Sequence, residues 1–185
     1  MKKIAITGGI GEGKSTILGY VKDLGIVVLS ADDVAKEVLA EDKFQQAVAN
    51  ELHLKLPIDR KLLRTIILDD PALREKLNQI LHPEILKRIL ASKISIIEVP
   101  LLFEASVQDY FDQIWVVTCG KSEQFKRLNA RLKDPLITKK LIETQIPTAE
   151  KCKHADLIFD TRNAEEYLRN QVKQALEAEG FFDLL

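Results

Sequence analysis

Apolar runs of strand length recur along the chain, at residues 4–6, 26–29, 94–99, 114–118 and 157–159. Between them the apolar positions fall at helical spacing. In residues 16–24, Ile17, Tyr20, Val21 and Leu24 share one stripe, and Gly25 follows as a natural C-cap. Near the end of the chain, Asn163 and Glu166 form an N-cap pair, and Leu168, Val172, Ala175 and Leu176 carry the apolar face of a last helix. Several of the strand runs are continuous Val/Ile rather than alternating. Buried on both faces, such strands belong to a parallel sheet covered by helices. The pattern predicts an α/β fold with a five-stranded parallel sheet, and residues that carry chemistry are expected just after the strands' carboxyl ends.

Two stretches exceed a simple strand–helix alternation. Residues 33–90 are helical in pattern and too long for one crossover, so they are expected to form a helical insert. Residues 126–153 form a second, basic helical excursion. Pro57, Pro71, Pro83, Pro135 and Pro147 mark breaks in these regions, with His82-Pro83 dividing one helix from a fresh one. In the helix after the fourth strand, Phe125, Leu128 and Leu132 make the buried stripe, while Arg127 and Arg131 share the other side. No repeat or flexible linker interrupts the chain, so residues 1–185 are expected to form one domain.

The strand at residues 4–6 runs into Gly8-Gly9-Ile10-Gly11-Glu12-Gly13-Lys14-Ser15, which fits G-x-x-x-x-G-K-[ST], and a helix follows. Strand, glycine loop and helix are the context this phosphate-binding motif requires. Glycines let successive N–H groups turn inward, and the helix dipole favours an anion at its N-terminus. Residues Gly9 to Thr16 are therefore the expected ATP-binding loop. Lys14 would reach the β- and γ-phosphates and the Ser15 hydroxyl would take a place on Mg²⁺. After the second strand come Ser30-Ala31-Asp32-Asp33, with a helix beginning near Val34. Asp32 reads either as the carboxylate that accepts or orients an acceptor's proton, or as a cap of that helix. On a lid, Arg127 and Arg131 would neutralise transferring charge. Taken alone, His82 reads as a locally satisfied side chain at a helix break.

Composition narrows the setting. A net charge of −1 offers no basic field for nucleic acid. Cys119 and Cys152 match no metal or redox spacing and read as free thiols in a reducing compartment. No apolar run approaches the ~20 residues of a membrane span, and the N-terminal one is too short for a signal sequence. A soluble cytoplasmic protein, without membrane, nucleic-acid or obligate protein partner, is expected. The N-K-x-D and D-x-x-G segments of a GTPase and the L-S-G-G-Q of a transporter ATPase are absent, which leaves a kinase of small metabolites.

These motifs together resemble the dephospho-coenzyme A kinase family. The P-loop with Thr7 and Thr16 is similar to T-G-G-I-G-S-G-K-S-T, and Ala31-Asp32 to the end of D-A-D. Ile58-Asp59-Arg60 resembles L-D-R, Leu81-His82-Pro83 the H-P motif, and Pro100-Leu101-Leu102-Phe103-Glu104 P-L-L-x-E. Arg127 and Arg131 match R-x-x-x-R, Gln145 matches a glutamine near the lid's end, and Ala155-Asp156-Leu157-Ile158 resembles A-D-x-V-I. The resemblance implies ATP-dependent phosphorylation of the 3′-hydroxyl of dephospho-CoA, giving CoA and ADP, with Mg²⁺. It implies Lys14, Asp32 and Arg131 as catalytic, Arg127 beside the loop on ATP, and Arg60, His82, Leu101, Leu102 and Glu104 with Asp32 on the acceptor. Two departures stand out: Ser30 replaces the first aspartate of D-A-D, and Asp160-Thr161-Arg162-Asn163 replaces an asparagine-and-glycine loop near the base. The alternative is a P-loop kinase acting on a nucleoside or nucleoside monophosphate.

Overall fold

A computed structural model of the chain describes residues 2–182. In chain order its elements are β1 (Ile4–Gly8), α1 (Lys14–Asp23), β2 (Val28–Ser30), α2 (Ala31–Ala40), α3 (Asp42–Leu52), α4 (Arg60–Asp69), α5 (Pro71–Ala91), β3 (Ile96–Glu98), β4 (Gln113–Thr118), α6 (Lys121–Leu132), α7 (Pro135–Glu143), α8 (Thr148–Lys151), β5 (Leu157–Asp160) and α9 (Glu165–Ala178). The strands form a five-stranded sheet in the order β2-β3-β1-β4-β5. It is parallel, with helices on both sides, as the continuous apolar runs predict.

Burial follows from position in the sheet. β1 is central and every one of its residues is buried, so it contains no polar alternation. β5 lies at an edge, and Ile158 there is exposed while Phe159 is buried. One core cluster gathers Ile4 and Ile6 from β1, Ile17 and Val21 from α1, Trp115 from β4, Phe159 from β5, and Leu168, Val172 and Leu176 from α9. Trp115 and Phe159 meet edge to face, their ring centres 5.7 Å apart, the geometry in which the positive ring edge meets the negative face. β1 pairs with β3 on one side and β4 on the other. The connection after β1 leads to β2 on one side and the connection after its neighbour β3 leads to β4 on the other, and ligands bind outside the carboxyl ends of strands where such connections part.

The chain divides into two compact units, residues Met1–Leu29 with Ile94–Leu185, and residues Ser30–Lys93. The second consists of α2, α3, α4 and α5, with α5 packed against each of the other three.

Three local expectations are corrected. Pro83 does not divide two helices: α5 runs unbroken from Pro71 to Ala91 with Pro83 inside it. A proline there removes one backbone hydrogen bond, but Leu77, Leu81, Ile85 and Ile89 continue a single buried stripe at four-residue spacing across it. Packing along that stripe outweighs the lost bond. Asn163 does not cap the last helix; Ala164 holds the N-cap position with no side-chain bond. On α6 the buried positions are Gln124 and Leu128, whereas Phe125 is exposed. A polar side chain occupies the apolar stripe because it has a partner in the phosphate loop.

Candidate active site

β1 ends at Gly8 and α1 begins at Lys14, so the glycine motif is the whole connection between them. The N-cap of α1 is Gly13, at φ 96° and ψ 20°, in the left-handed region that glycine reaches without strain. A side chain on Gly13 would also run into Thr161. No side chain caps this helix, which leaves its N-terminal field to an anion. The Lys14 ammonium donates to the carbonyls of Gly8, at 2.8 Å, and Gly9, at 3.1 Å. Ser15 and Thr16 are exposed on the first turn.

The loop is held from below and from the side. The Glu12 side chain turns inward and is only 1% exposed, accepting the Gly9 N–H at 2.6 Å. Gln124 on α6 donates to the Ile10 carbonyl at 3.0 Å, and Gln145 accepts the Ile10 N–H at 2.8 Å. Thr161, just past β5, donates to the Glu12 carbonyl at 2.8 Å. Arg127 bonds Thr161 twice, at Oγ1 (2.8 Å) and at the carbonyl (3.0 Å), and pairs with Glu123 at 2.9 Å. Its guanidinium thus braces the loop after β5 against α6. Arg131, one turn on, is exposed. Beside them Arg162 grips the Asp160 carboxylate through Nε and Nη2 and holds its pKa below the usual range.

The strand-end segment after β3 is split in its placement. Leu101 is exposed, whereas Leu102 is fully buried in the core. The Glu104 carboxylate accepts the Ile146 N–H at 3.0 Å and lies 2.7 Å from the ammonium of Lys151, which is wholly buried. A buried ammonium is costly unless an opposite charge meets it, and Glu104 is that charge. Gln124 and Lys151 are neighbours of the site that motif reading did not single out, whereas Thr161 lies in the segment noted near the base. For Gln124 the signal was its place on an otherwise apolar stripe.

In the second unit, Ser30 is the N-cap of α2, its hydroxyl accepting the Asp33 N–H at 3.4 Å. The helix therefore starts at Ala31, three residues before the expected Val34, and Asp32 stands exposed in its first turn. Asp33 pairs with Lys36 at 2.6 Å. That hydrogen bond, with smaller contributions from the charges of Asp33 and Asp32, raises the Lys36 pKa. Arg60, the first residue of α4, donates to the Lys36 carbonyl at 3.1 Å, so Asp32, Asp33, Lys36 and Arg60 form one charged group. His82 is half-buried on α5, and burial lowers its pKa.

The sequence model of the dephospho-CoA kinase family matches residues 2–166. The chain belongs to the dephospho-CoA kinase family. A dephospho-CoA kinase from Synechococcus elongatus is 36% identical over 194 residues, covering 95% of this chain and 91% of the relative. Among solved structures, a dephospho-CoA kinase from Campylobacter jejuni superimposes with a TM-score of 0.69 at 26% identity, covering 96% of each chain. The protein TT1252 from Thermus thermophilus does so with a TM-score of 0.76 at 26% identity, covering 96% of this chain and 95% of that one.

Within the dephospho-CoA kinase pattern, the structure gives physical content to both departures. Ser30 caps α2, a task for which serine and aspartate are comparably good. Asp160 and Arg162 depart together and satisfy each other. Ser30→Ala is expected to destabilise the protein by about 0.5 kcal/mol, the low end for a cap whose bond is long, and Ser30→Asp to restore it. Urea unfolding of the three proteins checks both.

Proposed function

We propose that the loop Gly9–Thr16 holds the ATP phosphates, that Mg²⁺ accompanies the nucleotide, and that the acceptor is phosphorylated at its ribose 3′-hydroxyl. The reaction is the family's own: ATP phosphorylates dephospho-CoA to give CoA, within coenzyme A biosynthesis. The observation that carries the donor half is the uncapped N-terminus of α1, opening from the carboxyl end of a central parallel strand with Lys14 and Ser15 in its first turn.

Lys14 turns from the loop carbonyls to the β- and γ-phosphates, keeping an ammonium where negative charge develops during transfer. Ser15 offers one hydroxyl oxygen on an exposed helix start, the donor expected for a small hard cation held mainly by phosphates and water. Such a cation neutralises phosphate charge. Arg131 closes over the phosphates from residues 126–153, acting as a lid, and Arg127 fixes the loop that borders the nucleotide. Asp32 accepts or orients the proton of the attacking hydroxyl. Arg60, His82, Leu101 and Glu104 serve the acceptor side, with Leu102 supporting Leu101 from the core; residues 33–90 form the acceptor insert. No helix of the described residues is long and apolar enough to cross a membrane.

The test is product identification by mass after incubation with Mg-ATP and, in parallel, dephospho-CoA, adenosine and AMP. A gain of one phosphate on dephospho-CoA alone is expected, with the new ester at the 3′ position. Phosphorylation of adenosine or AMP but not of dephospho-CoA would move the chain to a nucleoside or nucleotide kinase.

A further inference from the structure

Glu12 is unusual among the residues of the phosphate loop. It places an acidic side chain in a loop built to receive anions, and the structure sinks that side chain almost completely. Its Oε2 accepts the Gly9 N–H and also the Thr148 hydroxyl, at 2.6 and 2.5 Å. Its Oε1 accepts the Thr118 hydroxyl at 3.3 Å. These donors come from the loop itself, from the end of β4 and from the first turn of α8. Three donors on one carboxylate offset much of the cost of burying it.

The packing is close. A Cβ built on Gly9 would lie 2.6 Å from Gln124 Nε2, 2.7 Å from Glu12 Oε2 and 2.9 Å from Thr148 Oγ1. Gly9 is thus the floor on which three side chains converge, and a larger residue there would have to displace them. A second tie runs parallel to the first, from the Ile10 N–H to Gln145. The same short segment is held on its other side by Glu104, through the Ile146 N–H and the buried ammonium of Lys151. Residues 145–151 therefore join the phosphate loop to the strand-end motif after β3.

We propose that Glu12 is a positioning residue that latches residues 145–151, the segment returning from α7, to the phosphate loop. A change in the loop on binding nucleotide is then transmitted through Thr148 and Gln145 to the base of residues 126–153. The carboxylate acts through hydrogen bonds on Thr148 and Gly9 rather than on a reacting atom. This rests on the reading of Gly9–Thr16 as the donor-phosphate site.

Hydrogen–deuterium exchange of the full chain with and without saturating Mg-ADP tests the latch, alongside steady-state kinetics. In the parent, ADP slows exchange at the loop and across residues 145–151. In Glu12→Ala, ADP still slows exchange at the loop but protects residues 145–151 much less than in the parent, the Gln145 tie alone remaining, and kcat falls about tenfold with the KM for dephospho-CoA within twofold. Glu12→Gln, which keeps an acceptor for Gly9 and Thr148, recovers most of that loss. Should Glu12→Ala fail to fold, Thr148→Val, which leaves the bond to Gly9, is read in the same way. The double variant loses no more than the worse single one, because both cut one connection. Undiminished protection of 145–151 in the variants, or losses that multiply, would overturn the latch while leaving the donor site intact. No protection of the loop by ADP in the parent would instead overturn the donor site.

Discussion

Lys14→Ala is expected to reduce kcat/KM for ATP by about 10³-fold or more, with the larger share in kcat. The charge on the transferring phosphoryl group is spread over its oxygens during the reaction, and little covalent chemistry is left for the protein to perform. Positioned positive charge is therefore the main instrument of such an enzyme. Lys14 is the cation that the loop itself supplies, and its ammonium already lies within hydrogen-bond reach of two loop carbonyls, Gly8 and Gly9. Those bonds are made to neutral oxygens, so exchanging them for phosphate oxygens adds the attraction between opposite charges. Removing the side chain leaves the amides and the α1 dipole in place, so nucleotide binding is expected to weaken without vanishing. Single-turnover rates with fluorescence titration of a nucleotide analogue separate the two effects. A variant with parental turnover would take Lys14 out of the phosphate site.

The strand, glycine loop and helix of the candidate site were legible because they are local in sequence. A glycine loop between a strand and a helix is one contiguous segment, and backbone geometry dictates both its residues and their order. The strand positions were legible for a similar reason, since β1 is buried on both faces and carries the unbroken apolar run Ile4-Ala5-Ile6. What escaped was set by tertiary contact. Pro83 reads locally as a break, yet the stripe from Leu77 to Ile89 carries α5 through it. Gln124 has no polar partner near it in sequence, and only the fold brings the Ile10 carbonyl to it. Thr161 and Thr148 lie more than a hundred residues from Glu12, and no periodicity links residues so distant. Arg127 looks like a free cation on a helix face, but the end of β5 gives it two hydrogen bonds, with Glu123 as an ion-pair partner on α6. Such partners belong to the fold rather than to any segment.

Asp32→Asn is expected to lower turnover by about 10²-fold while leaving ATP affinity nearly unchanged. The sequence leaves two uses for this carboxylate, capping a helix or handling the acceptor's proton, and the structure separates them in part. The N-cap of α2 is Ser30, and Asp33, not Asp32, forms the ion pair with Lys36. Asp32 keeps the favourable interaction of an acid with the first helical turn, about 0.3–1 kcal/mol, and a minor attraction to Lys36, so its neutral isostere is expected to fold with little loss. Asparagine preserves shape and can still accept a hydrogen bond, but it cannot take a proton, so a loss confined to kcat points to proton handling by the carboxylate. An enzyme that instead uses Asp32 to grip the acceptor would show a raised KM for dephospho-CoA with kcat maintained. Kinetics varying each substrate in turn, with urea unfolding of the same preparations, distinguish these outcomes. Near-parental turnover in a stably folded Asp32→Asn protein would reduce Asp32 to a residue that serves the helix dipole.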